Sequence, residues 1–149
     1  MSINKKIVVT DWIKIKPQEG SFLKVTLSSD ERRILRGKKI TDCDQVIIFQ
    51  LPRNRKLNDG DILSTNDPNF YVEIIAKTEN LIEISSSSAI ELIKAAYHLG
   101  NRHVELEIGK DILLTKSDYV IENMLKNFNV DIVNTHKKFF PETGAHRHE

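Results

Sequence analysis

Residues 81–108 read LIEISSSSAIELIKAAYHLGNRHVELEI, and this stretch decides the fold of the second half of the chain. Its opening run, Leu81-Ile82-Glu83-Ile84, has the apolar alternation of a strand. Ser88 with Glu91 three positions later forms the capping-box pattern that begins a helix. The sequence therefore predicts a strand, a polar turn and then a helix.

The helix itself shows apolar residues at helical spacing. Ile90, Ile93 and Tyr97, with Ala96 nearby, predict an apolar face. Gly100 is predicted to be the left-handed residue just past the helix end, because glycine adopts that conformation at little cost.

The remaining elements follow downstream. Alternation of Val104, Leu106 and Ile108 predicts a strand, and Ile112-Leu113-Leu114 predicts another. A second helix is expected over Asp118 to Asn127, with a last strand around Val130 to Val133. Counted from Leu81, the order is β-α-β-β-α-β, which is the ferredoxin-like motif.

The first half is typical of a small β-sandwich or barrel. Short apolar runs are separated by turn chemistry, for example at Asn58-Asp59-Gly60-Asp61. The fold class is therefore α+β. We expect an all-β domain over residues 1–73, a ferredoxin-like domain over 74–138, and a mobile tail over 139–149.

Composition excludes several classes of protein. The 149 residues carry 22 basic and 21 acidic side chains, a net charge of +1 that argues against a nucleic-acid partner. Cys43 is the single cysteine, so neither an internal disulfide framework nor a cysteine-rich zinc finger is available. No apolar run is long enough for a membrane helix or a signal-peptide core, and we expect a cytoplasmic protein with no membrane partner.

Candidate chemistry is confined to histidines and one basic cluster. The chain lacks phosphate-binding glycine loops and a nucleophile elbow. Its five histidines, His98, His103, His136, His146 and His148, all lie in the second half, and imidazole suits nickel, copper and zinc. Their spacing alone fits a metal role or a surface role. The basic residues from Arg32 to Lys39 fit either phosphate contacts or a solvated strand face.

The octapeptide Ala96-Tyr97-His98-Leu99-Gly100-Asn101-Arg102-His103 resembles the signature of the urease accessory protein E family of nickel chaperones. Three further segments resemble the family in the same order: Leu51-Pro52-Arg53 with Gly60-Asp61-Ile62-Leu63, Asp118-Tyr119-Val120 with Met124-Leu125, and residues 139–145, FFPETGA. The likeness covers nearly the whole chain.

The resemblance implies a non-enzymatic carrier that delivers Ni²⁺ to urease maturation. It implies an N-terminal domain that binds a protein or peptide and a ferredoxin-like domain that forms a homodimer. His103 would bind nickel together with its symmetry mate, with His146 and His148 of the tail as further ligands. Cu²⁺ or Zn²⁺ would suit the same site. The implied partners are the other urease accessory proteins, including a GTPase, and urease apoprotein. The resemblance leaves open whether two dimers join into a metal-linked tetramer.

The chain also departs from the family pattern. His146 stands where an aromatic residue is usual, and Asn54 stands where glycine is usual. Lys116-Ser117-Asp118-Tyr119 lacks the histidines that some members carry there. Two rival functions are a metal-independent peptide- or RNA-binding adaptor and a metal-dependent hydrolase. The hydrolase would need a general base, and Glu105 and Glu107 also fit a solvated strand face.

Overall fold

The computed structural model describes residues 6–143, and the chain divides into two compact units, Met1–Lys77 and Thr78–Glu149. Strands outweigh helices, so the α+β class is confirmed. The division lies beyond the predicted boundary at residue 73, because Ile74 and Ala76 still belong to a strand of the first unit and are buried there.

The first unit is a six-stranded sheet with one short 3-10 turn, Glu31–Arg33. The strands are β1 Val8–Ile13, β2 Ser21–Leu27, β3 Arg36–Ile40, β4 Val46–Gln50, β5 Ile62–Thr65 and β6 Phe70–Ala76. Their order in the sheet is β2-β6-β5-β1-β4-β3. The β1–β4 and β2–β6 pairs are parallel, and the other neighbours are antiparallel.

Alternate residues of these strands point into one apolar core, as the period of two requires. Each strand from β1 to β6 except β3 contributes aliphatic or aromatic side chains to it, and Leu51 and Leu57 close it from the connecting loop. On β3 the inward residue is Lys39, whose ammonium group lies 5.8 Å from the centre of the Phe49 ring.

The second unit is a four-stranded sheet with two helices, in the predicted order of strand, helix, two strands, helix and strand. The strands are arranged β10-β7-β9-β8, and all neighbours are antiparallel. The elements are β7 Thr78–Ser85, α1 Ala89–Asn101, β8 Glu107–Ile108, β9 Leu113–Lys116, α2 Tyr119–Leu125 and β10 Asp131–Lys138.

Side-chain caps fix the start of both helices. The Ser88 hydroxyl accepts the Glu91 N–H at 3.4 Å, which confirms the predicted start of α1. The return half of the capping box is different, because the Glu91 carboxylate accepts the Asn129 N–H at 3.3 Å instead. The Asp118 carboxylate accepts the Val120 N–H at 2.7 Å and so begins α2.

The segment after β10 is more structured than predicted. Phe139 was expected to lie in a mobile tail, yet it is fully buried against Leu81 and Leu114. Pro141 is also buried. The predicted tail residues His146 and His148 lie outside the described residues.

Candidate metal site

His103 lies at the end of α1 and closes the helix in a left-handed conformation, with φ 58°. The Val104 N–H donates to the Leu99 carbonyl at 3.1 Å, and the His103 N–H donates to the Gly100 carbonyl at 3.0 Å. This pair of bonds is the Schellman motif, in which the left-handed position usually holds glycine. The prediction for Gly100 was wrong: Gly100 is within the helix, and His103 takes the left-handed position.

The packing of Val104 explains why the helix ends where it does. Val104 and Leu99 both belong to the apolar core of the second unit, so the chain must turn back immediately after His103. The turn leaves the His103 side chain exposed at the end of the helix. Two backbone hydrogen bonds and the packing of Val104 in the core therefore fix the position of His103, and the residue is exposed.

The predicted apolar face of α1 is exposed instead of buried. Ile90, Ile93 and Tyr97 are 61%, 66% and 65% exposed. The face that packs on the sheet contains Leu92, Ala95 and Leu99. We call Ile90, Ile93 and Tyr97 the α1 stripe. These three large apolar side chains form an exposed row along one helix.

His98 and His136 make side-chain contacts on other parts of the second unit. The His98 ring packs 5.2 Å from the Phe128 ring and 5.3 Å from the Tyr97 ring. The His136 ring lies on the β7–β10 pair, with Nε2 2.9 Å from Thr78 Oγ1 and Nδ1 2.9 Å from Asn80 Oδ1. These contacts do not bring His98 or His136 together with His103.

Within residues 6–143, no group of three or more histidine, cysteine, aspartate or glutamate side chains is close enough to hold a metal ion. Imidazole from His103 alone leaves a divalent ion several ligands short of its usual four to six. Any metal bound at His103 needs ligands from beyond these residues, from a second chain or from solvent.

Sequence comparison identifies the chain. The family model "UreE urease accessory protein, N-terminal domain" matches residues 6–77, and the model for the C-terminal domain of the same family matches residues 79–149. The chain belongs to the UreE family of urease accessory proteins. The resemblance stated on the octapeptide is thus confirmed, and this family is one of accessory proteins, with a role in urease maturation, and not of enzymes.

Relatives of the UreE family match over most or all of the chain. The "Urease accessory protein UreE" of Prochlorococcus marinus strain MIT 9215 is 80% identical over 100% of both chains. That of Prochlorococcus marinus subsp. pastoris strain CCMP1986 / NIES-2087 / MED4 is 61% identical over 100% of this chain and 97% of its own. A more distant protein of the same name, from Synechococcus sp. strain CC9311, is 40% identical over 85% of this chain and 81% of its own.

In the first unit, the segment Gly60-Asp61-Ile62-Leu63 resembles the UreE family, and the contacts of Asp61 explain its structural role. One oxygen of the Asp61 carboxylate accepts the Trp12 indole N–H at 3.0 Å and the Asn58 N–H at 2.8 Å. The Arg55 guanidinium lies 4.4 Å from the Trp12 ring and 3.6 Å from the same Asp61 oxygen. These contacts hold the loop between β4 and β5 against β1, so Asp61 stabilises the fold of the first unit.

The predicted basic cluster is not one surface. Arg32 and Lys39 are buried, and the Arg32 guanidinium donates to the Leu27 carbonyl at 3.2 Å. Arg36 and Lys38 are exposed on β3, as expected of a solvated strand face.

Cys43 is exposed in the turn after β3, with its sulfur 3.2 Å from the Thr41 hydroxyl. No helix in residues 6–143 is long and apolar enough to cross a membrane.

Proposed function

We propose that this UreE protein is a nickel carrier that works as a homodimer and delivers Ni²⁺ to the urease maturation complex. The second unit, for which the β-α-β-β-α-β order supports a ferredoxin-like fold, carries the metal. The first unit binds a protein or peptide partner. Chief support for the proposal is His103, an exposed imidazole fixed at a left-handed helix end and inside the family's signature octapeptide.

The α1 stripe supports dimerisation through the second unit. In a two-fold dimer the same patch of each chain meets its own copy, so burial of Ile90, Ile93 and Tyr97 would be shared by both chains. His103 follows the end of the same helix. Pairing of two α1 helices near that end brings two His103 rings together and supplies two nitrogen ligands for one ion.

The segment before the tail supports a contribution from His146 and His148. The Glu142 N–H donates to the Leu106 carbonyl at 2.7 Å, and the Phe140 N–H donates to a Glu107 carboxylate oxygen at 2.9 Å. The chain therefore passes Thr143 close to residues that follow His103 in sequence. An extended chain covers up to ~3.5 Å per residue, so the three residues from Thr143 to His146 span up to about 10 Å.

Incomplete coordination suits a carrier. Two His103 rings leave open positions that water or tail histidines fill and that an acceptor protein can take over one ligand at a time. Copper binds imidazole sites more tightly than nickel does, so the choice of nickel over Cu²⁺ or Zn²⁺ depends on supply and on the partners. These partners are the other urease accessory proteins, including a GTPase, and urease apoprotein.

Calorimetric titration with nickel tests the proposal. The parent protein, His103→Ala and a variant that ends at Thr143 are compared, with His98→Ala as the control for loss of an exposed histidine on the same helix. We expect His103→Ala to lose most of the affinity, the truncated variant to lose part of it, and His98→Ala to lose little.

The absence of a ligand cluster in residues 6–143 also favours one rival, a metal-independent adaptor that binds peptide or RNA. A parent protein that gives no saturable nickel binding would favour this rival. Equal binding by the parent and His103→Ala would instead remove His103 as the primary ligand.

Glu107→Ala tests the path of the tail separately. Loss of the bond to Phe140 should weaken nickel binding about two- to fivefold in the full chain and not at all in the variant that ends at Thr143. Glu107→Gln keeps an acceptor oxygen and is the matched control. An equal loss in both backgrounds would show that Glu107 acts on the site directly and not through the tail.

A further inference from the structure

β3 is an edge strand whose outer side is open. In the six-stranded sheet it pairs with β4 and with no other strand of the described residues. Four of its five residues are exposed, and Lys39 is the exception. A Cβ atom added at Gly37 would meet nothing within 4 Å, so there is open space beside the sheet at the middle of the strand.

The backbone groups on that outer side can be identified from the register. The Leu51 N–H donates to the Leu35 carbonyl at 3.1 Å, and the Thr41 N–H donates to the Gln45 carbonyl at 2.8 Å. In an antiparallel ladder, hydrogen-bonded pairs alternate with non-bonded ones. Odd-numbered residues of this segment therefore face β4, and the N–H and C=O groups of Arg36, Lys38 and Ile40 face outward.

Asp42 supports this assignment, since it is the next even-numbered residue. Its N–H donates outward, to the Lys24 carbonyl of β2 at 2.8 Å. The Asp42 carboxylate also accepts the Thr26 N–H and the Thr26 hydroxyl. The outer side of this segment thus already binds an extended backbone at one end, where β2 meets it. Among the described residues it is open from Ile40 back to Arg36, and at Ile34 the N–H donates to the Glu31 carbonyl at 3.1 Å.

Side chains on the exposed face of this edge form a pattern of their own. Ile34, Arg36, Lys38 and Ile40 alternate along it, with the two isoleucines 53% and 63% exposed. Opposite them on β4 lie Gln50, Ile48 and Val46, in register with Arg36, Lys38 and Ile40. The face therefore has two cations between two apolar residues, and none of its residues is acidic.

We propose that β3 binds, as an added strand, an extended partner segment in which acidic side chains lie between two apolar ones. Main-chain hydrogen bonds from Arg36, Lys38 and Ile40 would give affinity, and opposite charges across the pair would give specificity. The proposal deepens the assignment of the first unit as a partner-binding domain by naming the surface and the chemistry of the segment.

Lysines on an edge strand also keep it from pairing with other chains. In β3, the avoidance of self-pairing and the selection of an acidic partner depend on the same cations. A second copy of β3 would set cations against cations and is disfavoured, whereas an acidic segment neutralises Arg36 and Lys38. The same two side chains therefore reject self-association and select the partner.

The test uses the full-length protein and a capped peptide, Val-Thr-Glu-Thr-Glu-Thr-Val. Its alternate side chains match Ile34, Arg36, Lys38 and Ile40 in either strand direction. The control peptide has lysine in place of each glutamate. We expect saturable binding of the acidic peptide in NMR titrations, weaker binding as salt is raised, and slower hydrogen exchange at the amides of Arg36, Lys38 and Ile40.

Lys38→Glu should weaken binding of the acidic peptide at least about tenfold, and Lys110→Glu, the same charge change on an exposed loop of the second unit, should not. Binding without added protection at those three amides would overturn strand addition. Equal binding of the lysine peptide, equal loss in Lys110→Glu, or no binding at millimolar peptide would overturn the proposal.

Nickel affinity is measured on the same Lys38→Glu protein and should be unchanged, since Lys38 belongs to the first unit. Failure of the peptide test would therefore leave the nickel-carrier proposal standing. Failure of the nickel titration would equally leave the strand-addition proposal standing.

Discussion

At the scale of the residue, His103 combines a backbone that favours glycine with a side chain that the proposed function requires. A left-handed conformation costs a residue with a Cβ about 1–2 kcal/mol, and glycine avoids that cost. A glycine also lowers the free energy of unfolding by about 0.4–1 kcal/mol, because it makes the unfolded chain more flexible. His103→Gly should therefore raise the free energy of unfolding by roughly 0.5–1 kcal/mol and lower nickel affinity by more than about tenfold.

Asp111→Gly is the matched control for this prediction, because Asp111 is also exposed and left-handed, with φ 62°. It should gain similar stability and leave nickel binding unchanged. Urea denaturation and calorimetry measure the two quantities on each variant. A His103→Gly protein that is less stable than the parent would show that the imidazole itself contributes to the fold.

Lys39 is a second residue whose native environment is unfavourable for it, because burial disfavours its charged ammonium group. Burial lowers its pKa from the usual 10.5, although the nearby charge of Glu31 acts in the opposite direction. The folded state then binds the proton less tightly than the unfolded state does. At neutral pH the native protein holds a charged lysine in an unfavourable place, and stability rises as the pH increases through the folded pKa towards 10.5.

Lys39→Met removes this dependence while keeping a long apolar side chain over Phe49. Its free energy of unfolding, relative to the parent, should be highest at neutral pH and should fall as the pH approaches 10. Chemical denaturation at several pH values checks this, with Lys38→Met as the exposed control. A parent-to-variant difference that stays constant across the range would contradict the prediction.

The metal-binding role of His103 stays a prediction, and the sequence did not predict the left-handed conformation of this residue. Glycine was the natural candidate for the helix end, and Gly100 was available. The actual end is set by Val104, which must reach the core and contact Leu99. Such a tertiary contact is not visible in local sequence, so the helix was predicted to end too early.

At the scale of the element, α1 has apolar residues on two faces. Ile90, Ile93 and Tyr97 have the same spacing that a buried face would have, and so do Leu92, Ala95 and Leu99. Periodicity predicts a helix but not which of two such faces contacts the sheet. The same ambiguity affects α2, where Met124 and Leu125 lie in the core, whereas Tyr119 and Val120 are exposed.

A substitution that introduces a charge into the α1 stripe tests whether the stripe is the dimer interface. Ile93→Glu places one carboxylate from each chain in the same two-fold contact, so the cost is incurred twice. The dimer dissociation constant should rise on the order of 100-fold, with the fold of each chain kept because Ile93 is exposed. Sedimentation velocity at micromolar concentration measures the change.

Ile15→Glu supplies the control, since Ile15 is an exposed isoleucine of the first unit. It should leave the dimer unchanged. A metal-free parent that sediments as a monomer at micromolar concentration would contradict dimerisation itself. A dimer that survives Ile93→Glu would move the interface away from the stripe.

The strands of the first unit were predicted unevenly for a physical reason. Central strands such as β4 are runs of apolar residues. β3 has no such run, because an edge strand has little to bury, so only its cations indicated a strand face. The cations were read as a solvated strand face, which is correct for Arg36 and Lys38, while the burial of Lys39 depends on an aromatic neighbour that the sequence does not indicate.

At the scale of the whole molecule, each unit has its own core. The first core is built from residues between Ile7 and Ile74, and the cores of the second unit lie between Leu81 and Phe139. The two sheets share no strand, and the division falls between Lys77 and Thr78. A domain with its own core should fold alone when its neighbour is removed.

A fragment of residues 78–149 should therefore unfold cooperatively in urea and keep the dimer and the nickel site. We expect its nickel affinity to stay within about twofold of the full chain, because His103 and the proposed tail ligands all lie within it. The complementary fragment, residues 1–77, should fold and bind the acidic peptide but no nickel. If residues 78–149 were unfolded, or bound nickel ten times more weakly while folded, the first unit would have to contribute to the metal site, and the division of labour proposed for the two units would be wrong.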